Sequence, residues 1–328
     1  MQKLRWGLLS TANINRRLIP AVRESKRGEL VAVASRSQEA AKAYAEKWDI
    51  PLAFGSYEAM LASDEVDVVY IPLPNHLHAE WSIKAMRAGK HVLCEKPFVL
   101  SLEEMDAVTA VSQETGKVIT EAFMYRHHPQ TKLAGDLVRN GRLGKITLVR
   151  GVFNFAFSSR DNIRLVPEWG GGCLWDVGIY SLSFAQYIMG GPPVRVSGEQ
   201  WLGDTGVDEL FAGQMIYPNG AVAQITSSFC TPFHTFAEII GTEGRITIER
   251  PFVGIEETTH FHLYPKNGQP KQIPIPPKSL YLGEVEDIHA AILDGAEPYL
   301  TLQETRSHVK TALALYQSAR TGKTIALS

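Results

Sequence analysis

Between Leu4 and about Thr120 the chain switches repeatedly between short apolar runs and longer amphipathic stretches, and that rhythm leaves few folds open. Short runs rich in Val, Ile and Leu suit strands buried on both faces, and the stretches between them suit crossover helices, so the pattern is that of successive βαβ units. Strands are expected over residues 4–9, 29–35, 52–54, 66–71, 90–94 and 118–120, and helices over 14–24, 37–48 and 101–115. Ser37 is suited to cap the second of these helices; the third opens with the box Ser101-x-x-Glu104 and stops at Gly116. The expected product is an α/β domain with a doubly wound parallel sheet of the Rossmann type, which binds ligands beyond the carboxyl ends of its strands.

At 328 residues the chain exceeds the roughly 250–300 at which a single core stops growing, so a second domain is expected. After Thr120 the rhythm changes. A helix over 129–140 precedes β-forming runs at 146–155, 194–202, 209–217, 221–228, 236–241, 244–249 and 259–264, with a helix at about 175–189 among them. This predicts an α+β domain with a large open, mainly antiparallel sheet. The expected division is 1–121 for the dinucleotide-binding domain and 122–328 for the domain of substrate binding and oligomerisation, with terminal helices over 283–293 and 302–321 packed on one of the two. The Pro-rich stretch 272–278 reads as a connecting loop.

A net charge of −2 with 45% hydrophobic residues offers nothing to nucleic acid or to an anionic membrane. The first nine residues are too briefly apolar for a secretory segment, and no later run reaches the ~18 residues of a membrane span. A cytoplasmic protein is expected. The three cysteines, Cys94, Cys173 and Cys230, lack metal-ligand spacing, so neither a disulfide framework nor a metal site is expected.

Two segments concentrate chemistry. His91-Val92-Leu93-Cys94-Glu95-Lys96-Pro97 puts Lys96 just past the carboxyl end of a buried strand, and Gly170-Gly171-Gly172-Cys173-Leu174-Trp175-Asp176-Val177-Gly178-Ile179-Tyr180 puts Asp176 and Tyr180 four residues apart, on one face of a helix. Lys96, Asp176 and Tyr180 suffice to move a proton while a cofactor moves a hydride. The first turn, Ser10-Thr11-Ala12-Asn13-Ile14, is a damaged dinucleotide fingerprint. Small or polar residues replace its glycines, while backbone amides and the positive helix end remain to meet a phosphate.

After the second strand stand Ser35-Arg36-Ser37, with no Asp or Glu. A guanidinium flanked by hydroxyls suits a 2′-phosphate, so NADP is expected, with NAD as the alternative. Pro72, Leu73, Asn75 and His78 form a loop expected beside the nicotinamide end, with Asn75 capping the next helix; His78 is also readable as a structural loop histidine. Glycines such as Gly172 would let backbone approach a sugar or nicotinamide, and Arg126, His127 and Trp169 are candidate donors to substrate hydroxyls, with Arg160 and Asp161 weaker ones.

The Glu95-Lys96-Pro97 motif, the Pro74-Asn75-x-x-His78 loop and Gly-Gly-Gly-x-x-x-Asp-x-Gly-x-Tyr ending at Tyr180 together resemble the Gfo/Idh/MocA oxidoreductase family of glucose-fructose oxidoreductase, inositol dehydrogenase and their relatives, over nearly the whole chain. Tyr180, Glu121-Ala122-Phe123-Met124-Tyr125-Arg126 and the opening Trp6–Ile14 are similar to its branch of NADP-dependent D-xylose dehydrogenases and dimeric dihydrodiol dehydrogenases. Many members carry His where this chain has Tyr180, so a histidine base is not carried over. The resemblance implies a nicotinamide cofactor and an open sheet that often mediates dimers. The expected function is NADP(H)-dependent hydride transfer to or from a D-xylose-like aldose, a polyol or a trans-dihydrodiol, by a homodimer or higher homo-oligomer. Alternatives are a sugar–sugar oxidoreductase with tightly bound cofactor, and a non-catalytic dinucleotide-binding redox sensor.

Overall fold

Six short strands form one sheet: β1 (Leu4–Leu9), β2 (Gly28–Ala34), β3 (Leu52–Phe54), β4 (Val68–Ile71), β5 (His91–Glu95) and β6 (Ile119–Ala122), in the order β3-β2-β1-β4-β5-β6. Every pairing is parallel, so each connection must cross over through a helix. The crossovers are α1 (Asn15–Glu24), α2 (Gln38–Trp48), α3 (Tyr57–Leu61), α4 (His78–Arg87) and α5 (Leu102–Thr115). Ser37 and Ser101 accept from Ala40 N and Glu104 N as caps, and Gly116 ends α5 in the left-handed conformation. The strand order reverses between β1 and β4, which sets a ligand crevice at the carboxyl ends of those strands. The structure is a computed structural model that describes residues 3–255 and 258–327.

A second sheet has nine strands: β7 (Ile146–Ala156), β8 (Arg195–Leu202), β9 (Asp208–Ile216), β10 (Val222–Ser228), β11 (Cys230–Gly241), β12 (Gly244–Ile248), β13 (His260–Pro265), β14 (Lys271–Pro274) and β15 (Ile325–Ala326). Its order is β14-β13-β12-β11-β7-β10-β9-β8-β15, antiparallel except for the β7–β10 pair. Along β9, Phe211, Gly213 and Met215 turn inward and Ala212 and Gln214 outward, the alternation of a sheet with one buried face. Helices α6 (Met124–His127) and α7 (Pro129–Arg139) precede this sheet, and α8 (Ile179–Met189) packs on β7. Helix α8 is buried on nearly all sides, and Gly151 of β7 lets it close in, since a Cβ there would stand 2.7 Å from that of Ser181.

The stretch expected as a loop from 272 begins as edge strand β14, because Pro274 stands at its end, where a missing N–H breaks no ladder. The compact units also differ from a single cut after residue 121. One unit runs to His127 and adds Ser279–Thr305; the other takes His128–Lys278 and the chain from Arg306 onwards. Helix α9 (Leu282–Leu293) belongs to the first because it packs on α1: Trp6 Nε1 donates to His289 Nε2 at 2.9 Å, and Ser25 Oγ lies 3.2 Å from His289 Nδ1. The last helix, α10 (Leu302–Thr321), starts in one unit and ends in the other.

Candidate functional site

Each unit carries one of the two chemical segments. In the first, the chain leaves β5 at Glu95 and hydrogen bonds hold it at each residue from Glu95 to Phe98. Tyr70 OH donates to Glu95 Oε1 at 2.5 Å, and Lys96 N donates to Glu95 Oε2 at 3.2 Å. His78 Nδ1 lies 2.8 Å from Pro97 O, and Phe98 N donates to Glu121 Oε1 at 3.1 Å. Glu121 Oε2 in turn accepts from Thr305 Oγ1 at 3.0 Å. Lys96 is thereby presented from a fixed backbone, half-buried at the carboxyl edge of the sheet. Burial, with Glu95 and Asp287 nearby, pushes the Glu284 carboxyl well up.

The turn after β1 fits a dinucleotide. Ser10, where the fingerprint has a glycine, keeps the positive φ of 145° that the turn requires. Asn15 Nδ2 donates to Ser10 O at 2.8 Å and closes the turn, and Ala12 N donates to Ser10 Oγ at 3.2 Å. Thr11, Ala12, Asn13 and Ile14 follow ahead of α1, whose first turn holds no acidic residue to repel a phosphate. Arg36 is exposed beyond the end of β2, with Ser35 half-buried beside it. Ser37 serves the fold, capping α2 while its hydroxyl donates to Glu39 Oε2 at 2.8 Å.

Of the loop after β4, Pro72 and Leu73 are buried and Asn75 opens a 3-10 turn, Asn75–Leu77. Helix α4 then starts at His78 with Leu77 at its cap position, in place of the cap expected from Asn75. His78 is fully buried between Pro97 O and Leu73 O, each 2.8 Å from a ring nitrogen. Whichever nitrogen carries the proton donates to a carbonyl, and burial lowers the imidazole to about 4. His78 is therefore a clamp on the Lys96 loop.

Two expected substrate donors also serve the fold. Arg126 is buried, with Nη1 2.6 Å from Glu304 Oε1, and His127 Nε2 lies 3.2 Å from Asp287 Oδ2. Both tie α6 to the returning segment Ser279–Thr305, a role that sequence spacing cannot reveal.

In the second unit, Leu174–Gly178 forms a π-helical turn that runs straight into α8. Such wide turns cost hydrogen-bond geometry and concentrate at functional sites. Asp176 is buried in it, and Arg164 Nε donates to Asp176 Oδ2 at 2.7 Å. Tyr180, 5% exposed, follows on α8 with Phe153 and Phe252 at ring distances of 5.4 and 5.6 Å. Trp169 is exposed on a preceding 3-10 turn, Pro167–Trp169. Arg160 is held by Glu209, with Nη1 2.8 Å from Oε2.

Gly172 is required by the fold as well. Its φ is +122°, and a Cβ there would stand 2.0 Å from Asp208 Oδ1, so the space belongs to a protein carboxylate. Asp208 and Arg164 were not legible as site residues. Asp208 stands beside Glu209 at the start of a strand, and nothing local separates the two acids.

Comparison with known proteins agrees with this geometry. Residues 4–123 match the family described as oxidoreductase family, NAD-binding Rossmann fold, and residues 131–247 match the GFO/IDH/MocA C-terminal domain. The chain is 39% identical to D-xylose 1-dehydrogenase (NADP(+)) 2 of Haloferax volcanii, over 98% of this chain and 99% of that one. It is 31% identical to trans-1,2-dihydrobenzene-1,2-diol dehydrogenase of Bos taurus, over 84% and 81%. The crystal structure of aldose-aldose oxidoreductase from Caulobacter crescentus, complexed with glycerol, superposes with a TM-score of 0.92 at 28% identity, covering 99% of this chain and 100% of that one.

Proposed function

The chain belongs to the Gfo/Idh/MocA oxidoreductase family, and on that premise we propose that it is an NADP(H)-dependent dehydrogenase of a D-xylose-like aldose or related polyol. The observation that carries this reading is the retention of Lys96, Asp176 and Tyr180 on rigidly held segments; a redox sensor has no need of a proton relay. When bound, the nicotinamide supplies the hydride acceptor or donor. Ser10–Ile14 would hold its pyrophosphate at the start of α1, and Arg36 with Ser35 its 2′-phosphate, with Glu95 at the end of β5 and Pro72, Leu73 and Asn75 beyond β4.

In sugar oxidation Tyr180 takes the hydroxyl proton. A free tyrosine, with a pKa near 10, holds its own proton at neutral pH, so a cation must favour its ionised form; Lys96 is assigned that part. Asp176 orients the substrate hydroxyl by accepting its hydrogen bond, with Arg164 fixing the carboxylate. Gly172 and Trp169 lie along the same segment as Asp176 and Tyr180. A homodimer or higher homo-oligomer in the cytoplasm is part of the proposal. Supporting self-association, Trp201, Leu202 and Phe233 on the second sheet remain 55%, 50% and 59% exposed.

The resemblance to an aldose–aldose oxidoreductase favours a second reading, in which cofactor stays bound and one sugar reoxidises what another reduces. A panel of aldoses, inositols and trans-dihydrodiols with NADP⁺ and NAD⁺, followed by reduced-nicotinamide absorbance, tests both. Stoichiometric NADPH formation from an aldose is expected. Cofactor co-purifying with the protein and turning over only with two sugars would install the second reading, and no turnover with any of these substrates would sink both.

A further inference from the structure

Asp208 is buried at the start of β9, and three donors from two parts of the chain, the Cys173–Leu174 pair and Tyr316, converge on it. Oδ2 accepts from Leu174 N at 2.8 Å and from Cys173 Sγ at 3.1 Å; Oδ1 accepts from Tyr316 OH at 2.8 Å. Burial pushes the Cys173 thiol and the Tyr316 phenol well up, so both keep the protons they donate. The glycine requirement at position 172 has the same origin, since Oδ1 fills the volume a Cβ would need. Tyr316 on α10 is backed by Trp175 and Phe211, each at a ring distance of 5.6 Å.

Leu174 is the first residue of the π turn, and its amide is one that such a turn leaves without an intrahelical partner. Asp176 lies two residues on and Tyr180 six, with no break in the helix. We propose that Asp208 is a positioning residue of the reaction: by holding the Leu174 amide it fixes where Asp176 and Tyr180 stand. This rests on the reading of those two residues as the hydroxyl-orienting group and the base. The Asp208 carboxylate is engaged by protein donors, and its part is to hold the turn. Its effect is transmitted through one backbone hydrogen bond, and displacing reacting groups by an ångström costs on the order of a hundredfold in rate.

The test uses full-length Asp208→Asn and Tyr316→Phe, with wild type and Tyr180→Phe beside them. Melting temperature, NADP⁺ affinity, kcat and KM for the sugar, and amide hydrogen exchange over 173–178 are measured. Asp208→Asn is expected to lower kcat about ten- to a hundredfold and to speed exchange of the Leu174 amide at least tenfold. NADP⁺ affinity should stay within about twofold, as the cofactor residues lie in the other unit. Tyr316→Phe should show the same pattern at about a tenth of the effect.

A merely stabilising role would lower the melting temperature and leave kcat at its wild-type value in the folded variants; that result overturns the proposal. If Asp208→Asn does not fold, Tyr316→Phe decides: unchanged kcat and unchanged Leu174 exchange overturn it. Wild-type turnover in Tyr180→Phe would refute the base assignment alone, leaving the exchange measurement to decide whether Asp208 anchors the turn.

Discussion

The loop that carries Lys96 and the turn that carries Asp176 are both held by backbone N–H groups donating to carboxylates, Glu95 and Glu121 in the first case and Asp208 in the second. The direct supports of the first come from nearby chain: Tyr70, His78 and Glu121 lie 25, 19 and 23 residues from the atoms they grip, although Glu121 is itself held by Thr305, 184 residues away. In a parallel sheet each strand end sits beside its neighbour's after one crossover, so the topology itself delivers those groups. The turn in the second unit draws on Asp208, 34 residues from Leu174, and through it on Tyr316, another 108 away. The direct grip on the first segment thus comes with the fold class, whereas that on the second depends on one particular carboxylate, Asp208, meeting the turn. Damage to the first should reach cofactor binding, and damage to the second turnover alone.

The sharpest way to break that contrast is Tyr180→Phe, which should cost roughly 10²–10⁴ in turnover and leave NADP⁺ affinity unchanged. Lys96→Met should approach the same loss, and the double change should be little worse than either, because groups acting as a unit are non-additive. Simple multiplication of the two losses would show that they act separately. Next comes Gly172→Ala, where a strained φ and the Asp208 carboxylate combine to cost about 2–4 kcal/mol, with turnover falling in step. Its counterpart Gly116→Ala, at φ +66° with nothing within 4 Å, should cost about 1 kcal/mol and leave kcat alone. Denaturant unfolding and steady-state kinetics of both variants check the pair.

Arg36→Ala should weaken NADP⁺ about ten- to a hundredfold and NAD⁺ hardly at all, the worth of a charge-assisted phosphate contact. Equal losses for the two cofactors, by titration, would refute the assignment. The last test is acid. Burial lowers His78 and His289 of the first unit, and His128 of the second, from 6.5 to about 4. Their neutral forms belong to the folded state, so this stability is complete above pH 6.5 and is lost as pH falls through about 4. Melting temperatures across that window should decline, and hydrogen exchange should show the first unit opening at higher pH than the second. A flat profile would mean that these histidines titrate normally.

Much of the first unit was legible because its signals are local. The βαβ rhythm, the caps at Ser37 and Ser101, the stop at Gly116 and the placement of Lys96 after β5 each depend on residues within a few positions. The same locality misled at Asn75, where the helix begins three residues later, and at the Pro-rich stretch that opens with β14. His78, Arg126 and His127 carried the right chemistry for binding, and in the structure all three hydrogen-bond to other groups of the first unit. A polar side chain looks the same in sequence whether its partner is a ligand or a distant carbonyl.

By itself, then, the sequence determined the sheet that binds a dinucleotide, the two segments that carry Lys, Asp and Tyr, and the family to which they belong, because backbone pairing and helix periodicity are written within short windows. Only the tertiary structure decided that α9 returns to the first unit through Trp6 and His289, 283 residues apart, and that Arg126 is neutralised by Glu304, 178 residues on. It alone assigned the space at Gly172 to Asp208. A buried polar group must find its partner wherever the folded chain brings one, and that choice is made by packing over distances that no local pattern encodes.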